Sequence, residues 1–73
     1  MWRRGYERRN GEVSSFGGLT SLEEAIEDAR SVAGSPGIVS VWVRDPDHMI
    51  VWFWLPESGE HGPLTGKERV ADG

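Results

Sequence analysis

Residues 38–55 constrain this chain more than any other stretch. They read IVSVWVR, DPDH, MIVWFWL, and hold three of the four tryptophans. β-branched and aromatic residues alternate with polar ones at a period of two, the pattern of a strand with two distinct faces. DPDH between the two runs is suited to a tight connection, with Pro at an early turn position. A hairpin is the reading, and the rest of the chain must pack on it or extend from it.

Face assignment by strict alternation divides the hairpin. Val39, Val41 and Val43 share one face of the first strand, and Met49, Val51, Phe53 and Leu55 share one face of the second. Ile38, Ser40, Trp42 and Arg44 lie opposite on the first strand, and Ile50, Trp52 and Trp54 on the second. The branched aliphatic set is the better match for a helix. That leaves Trp42, Trp52, Trp54 and Ile50 on the other side of the sheet. An antiparallel sheet ordinarily shows water a polar second face. Three indoles, each able to bury roughly 150–250 Å², make a patch that needs a cover. The covers to be weighed are the chain's own tail, a second copy and another protein.

The helix that covers the aliphatic side is expected over residues 21–34. Leu22, Ala25, Ile26, Ala29, Val32 and Ala33 recur at i, i+3 and i+4. Ser21 with Glu24 forms a capping box, and Thr20 with Glu23 repeats the spacing. Gly34 and Ser35-Pro36-Gly37 end it. Its outward face carries Glu23, Glu24, Glu27 and Asp28. The pairs Glu23/Glu27 and Glu24/Asp28 lack a third ligand or a histidine, so they make a poor metal site. No cofactor is expected.

Upstream, Asn10-Gly11 signals a hairpin turn of type I′ between strands near 2–9 and 12–16. Gly17-Gly18 then breaks the strand. Arg3, Arg4, Arg8 and Arg9 against Glu7 give residues 1–9 a charge of +3, while the remainder carries −7. A basic hairpin on an acidic body offers two surfaces for charged partners. The net charge of −4 disfavours general nucleic-acid affinity.

With 73 residues there is room for one small core, of a size that oligomerisation often supports. The chain has no cysteine, hence no disulfide or thiolate metal site. No apolar run approaches the ~20 residues that span a bilayer, and no secretory signal is evident. A cytoplasmic product is the expectation. Pro56 closes the last strand, and residues 57–73 read as a polar tail, partly ordered or mobile, behind a compact domain at 1–56.

Catalysis has little to build on. His48 falls in a turn, where it reads with Asp45 and Asp47 as turn chemistry. His61 sits alone in the tail, and the serines have no nucleophile context. Tyr6, Glu12 and His48 would meet only by accident of fold. The expectation is an α+β, two-layer ββαββ domain with a mainly antiparallel sheet and one helix on one face. Functionally it reads as a non-enzymatic protein-binding module, regulator or inhibitor. It is expected to be homodimeric through the Trp face, with Arg44 at the rim. The alternatives are a structural homodimer without a separate ligand, single-stranded nucleic acid stacked on the indoles, and a small enzyme.

Overall fold

The computed structural model describes residues 1–64. Five strands and one helix follow in the order β1 (Trp2–Arg8), β2 (Val13–Leu19), α1 (Leu22–Ala33), β3 (Ile38–Arg44), β4 (Ile50–Leu55) and β5 (Gly59–His61). The strands form a single antiparallel sheet in the order β2-β1-β3-β4-β5, with the helix packed on one face. The α+β two-layer fold is therefore the one expected, with a fifth strand added from the segment read as tail. Among the described residues, no helix is long and apolar enough to cross a membrane.

Both long hairpins turn in the same way. In the first, the Arg8 N–H donates to the Glu12 carbonyl at 2.8 Å and the Gly11 N–H to the Arg8 carbonyl at 2.9 Å. In the second, the Asp45 N–H donates to the Met49 carbonyl and the His48 N–H to the Asp45 carbonyl, both at 2.9 Å. Each is a three-residue loop whose last member has positive φ, Gly11 at 91° and His48 at 66°. Asn10 keeps negative φ, so the turn is not the type I′ expected from Asn-Gly. A three-residue loop needs only its final residue in the left-handed region.

Gly meets that requirement freely in the first loop; His48 does not. The buried Asp45 carboxylate holds the second loop instead, accepting from the N–H groups of Asp47 and Met49 at 2.9 Å each. His48→Gly relieves the left-handed strain and loosens the unfolded chain, a net gain of about 0.5–1 kcal/mol. Arg44 Nη1 donates to the His48 carbonyl at 3.1 Å, a backbone partner that the substitution keeps. A rise in the urea midpoint at unchanged m-value is the expected readout.

The helix begins and ends as its sequence dictates. The Ser21 hydroxyl accepts from the Glu24 N–H at 3.1 Å. The Glu24 carboxylate reaches back to Thr20, taking its hydroxyl at 3.0 Å and its N–H at 3.4 Å. At the other end Gly34 closes the helix on the Arg30 and Val32 carbonyls. Ala25, Ile26 and Ala29 are buried against the sheet, with Leu22, Val32 and Ala33 at the margin. Two alanines with no exposed surface let the helix axis lie close over β1 and β3.

Three register shifts decide which side chains reach that core. Gly18 is extra between Leu19, opposite Trp2, and Gly17, opposite Arg3. Val39 is extra between Ser40, opposite Glu7, and Ile38, opposite Arg8. Val51 is extra between Trp52, opposite Val43, and Ile50, opposite Arg44. One inserted residue reverses the inside–outside alternation beyond it. Ile38 is thereby turned inward, although strict alternation set it opposite Val41 and Val43. Gly17-Gly18 does not end β2; the strand passes through both, with Gly18 at φ 99°.

Candidate functional site

Directly opposed residues in an antiparallel pair share a face. Val41 lies opposite Trp54 and Val43 opposite Trp52, so both of these indoles are on the helix side. Trp52 is 1% exposed, the largest side chain buried to that degree, and Trp54 and Trp2 pack against the same core. The face of three indoles expected from alternation is thus not formed. Of its members only Trp42 and Ile50 remain on the helix-free side, together with Arg44. The signal that misled was uniform alternation through β4, which the Val51 bulge breaks. The missing constraint was the pairing of β4 with β3, which no local pattern reports.

The helix-free face has a different composition. Phe53, assigned by alternation to the aliphatic set, lies opposite Trp42 on this side. His61 lies opposite Phe53, and the two rings stack with centroids 4.6 Å apart and planes 14° from parallel. Trp42, Phe53 and His61 therefore form one aromatic row across β3, β4 and β5. Ile50 and Leu55 flank it on β4, and all five side chains are half-buried. Gly5 lies opposite Trp42 on β1. A β-carbon at Gly5 would sit 2.4 Å from the indole Nε1 and Cε2, so the ring lies across bare backbone. No local signal points to Gly5, and His61 reads as isolated in the sequence; the register places both.

Charge at the edge of the row comes from Arg3 and Arg44, which are directly opposed on β1 and β3. They turn apart. Arg3 Nη1 donates to Ser15 Oγ at 3.3 Å across β2, while Arg44 turns to the His48 carbonyl. Glu7 and Ser40 occupy the other end of the face.

The remaining charged candidates do not gather into two patches. Arg4 and Arg8 lie on the helix side with Tyr6. Arg4 Nε makes a 2.6 Å ion pair with Asp28 of the helix, joining the basic hairpin to the acidic face. Arg8 Nε lies 3.0 Å from Glu12, and both guanidiniums stand over the Tyr6 ring. Arg9 is exposed in the first turn. Glu24 is taken up by the cap and Asp28 by Arg4, leaving Glu23 and Glu27 exposed on the helix. Arg30 of α1 grips Glu60 of β5 through two bonds of 2.8 and 2.9 Å. This pairing holds the Glu60 carboxyl below its ordinary range. The Ser14 hydroxyl, then Arg8, lowers the Tyr6 phenol.

His61 is not alone, as its sequence surroundings suggested. Its Nε2 lies 2.7 Å from Ser58 Oγ across the β4–β5 turn. A hydroxyl and an imidazole at this distance are the first two members of a nucleophilic arrangement. Here the hydroxyl is exposed and the imidazole is stacked on Phe53. The bond ties the end of the β4–β5 turn to β5. Tyr6 and His48 are held apart, since Tyr6 is level with Val41 at the middle of β3 and His48 lies in the turn beyond Arg44. Among the described residues, no group of three or more His, Asp and Glu is placed to hold a metal ion.

Comparison of the chain with family models, with curated proteins and with solved structures finds no match.

Proposed function

We propose that this chain is a non-enzymatic protein-binding module, of the adaptor or inhibitor kind, which docks its partner on the helix-free face of the sheet. The aromatic row Trp42–Phe53–His61 supports that reading, since Trp anchors on a rigid element are favoured centres of protein interfaces. Ile50 and Leu55 extend the apolar centre. Arg3 and Arg44 supply a basic margin, which suits a partner with an apolar patch bordered by carboxylates. Trp52 and Trp54 lie on the helix side, so stacking of tryptophan faces between two copies loses most of its apolar area. A different protein is the better occupant.

Single-stranded nucleic acid is the competing occupant of an aromatic sheet face. His61 already stacks on Phe53, and the chain carries −4 overall. Both features favour protein over bases.

Photo-crosslinking in the source cells tests the reading. A benzophenone residue at Leu55, on the aromatic face, is expected to capture a discrete protein adduct. The same group at Glu23, on the exposed helix, is not. Trp42→Ala should abolish the Leu55 adduct while the far-ultraviolet spectrum is kept. Equal capture from both positions, or tight binding of a single-stranded oligonucleotide lost with Trp42→Ala, would overturn the proposal.

A further inference from the structure

The two edges of the sheet are unlike. At one end β5 is three residues long, carries Glu60 and His61, and is followed by Pro63. Short length, charge and proline are how natural sheets discourage edge pairing. At the other end β2 runs for seven residues, VSSFGGL, without one charged residue, in a chain that is 27% charged. Val13 is 61% exposed and Phe16 52%, two of only three large hydrophobic residues so exposed among those described. Their side chains lie on opposite faces of β2, since Val13 is level with Glu7 on the helix-free side and Phe16 with Arg4 on the helix side.

The register tells which backbone groups this edge offers. Arg8 donates to Glu12, and hydrogen-bonded pairs alternate from there, so Tyr6·Ser14 and Arg4·Phe16 are the bonded pairs. The N–H and C=O groups of Val13, Ser15 and Gly17 therefore point away from β1. An antiparallel strand centred on Ser15 engages all six of these groups. When that strand is a second β2, Ser15 meets Ser15, Val13 falls opposite Gly17, and Phe16 falls opposite Ser14. Each exposed large side chain then meets a small one, and no like charges are opposed.

We infer that β2 is a self-pairing edge, and that two copies of this chain join through it about a two-fold axis at Ser15 to form one ten-stranded sheet. An isologous contact requires this self-complementarity. The axis is perpendicular to the sheet, so both helices lie on one side and both aromatic rows on the other. Trp42, Gly5 and Ser15 are in one register line. The two Trp42 side chains are then in line across five strand spacings, about 24 Å. The inference does not depend on the partner proposed for the aromatic face.

Sedimentation equilibrium over a wide concentration range tests it. The wild-type chain is expected to reach a dimer. Ser15→Pro removes an outward N–H that β1 does not use, as edge strands permit, and should leave a folded monomer. Ser15→Lys sets two like charges across the axis and should weaken the dimer about fivefold. An equimolar mixture of the Ser15→Lys and Ser15→Glu chains should restore it as a heterodimer, a readout that holds even if the proline variant fails to fold. A wild-type chain that stays monomeric up to its solubility limit would overturn the inference, including one whose edge takes up an added peptide instead. A dimer indifferent to both charges at Ser15, or lost with Trp42→Ala, would overturn it as well.

Discussion

Trp52→Ala is expected to remove a large share of the chain's stability at 25 °C, whereas Trp42→Ala is expected to remove little. At roughly 0.05–0.15 kcal/mol per residue, 73 residues give a total stability of about 4–11 kcal/mol. Truncating a fully buried tryptophan costs about 3–5 kcal/mol through lost transfer energy and the cavity left behind. Trp52 meets that description: it is 1% exposed and lies opposite Val43, inside the cluster with Val41, Val51 and Ile26. Trp42 is half-buried on the open face, and its loss should cost about 1–2 kcal/mol, within the ordinary range of point substitutions. Urea titrations of both variants are the measurement. Equal destabilisation would mean that the two indoles share one environment and that the register across β3 and β4 is other than described.

A change of sign is expected at Gly5. In the wild-type background Gly5→Ala should cost about 1–3 kcal/mol, because the new methyl meets the Trp42 ring and overpacks the site. The β-carbon would lie 2.4 Å from indole atoms, a distance that only displacement of the ring relieves. In the Trp42→Ala background the same substitution should be neutral or stabilising by up to about 1 kcal/mol, since glycine is a poor strand residue. The double-mutant cycle then shows a coupling of about 1–4 kcal/mol between the positions. Near-ultraviolet circular dichroism provides a second readout, with the Trp42 band altered in Gly5→Ala alone. A cycle that closes with no coupling would show that the indole does not rest on Gly5.

Much of this fold is legible in local patterns. The α1 stripe, the Ser21 cap with Glu24, the Gly34 stop and the four long strands follow from periodicity and capping chemistry. The β5 strand is not so legible. Gly59–His61 is too short to show alternation, and it becomes a strand because the Arg30–Glu60 pair and β4 hold it. The open face was harder still. Alternation within β4 set Trp52 and Trp54 outward and Phe53 inward, and the true arrangement is the reverse. Nothing local to MIVWFWL announces the bulge at Val51, which arises from pairing with β3. Gly5 carries no local signal of its role, which comes only from Trp42 lying on it. The basic and acidic halves, separate along the chain, are partly neutralised by the Arg4–Asp28 pair. Residues 65–73, read as part of a mobile tail, lie outside the described residues.

Strand β1 is the first strand of the chain and yet is an interior strand of the sheet, paired on both sides. On a ribosome this order of parts sets a waiting time. The β1–β2 hairpin can form as soon as residue 19 emerges, but the other edge of β1 stays unsatisfied until residue 44 is out. At about 5–20 residues per second, those 25 residues of further synthesis take roughly one to five seconds. The helix, made within that interval, has no β3 or Trp52 to settle on until the second hairpin follows. A nascent chain stalled short of residue 55 should therefore be recognised by chaperones as unfolded, although every residue of the first hairpin and the helix has been made.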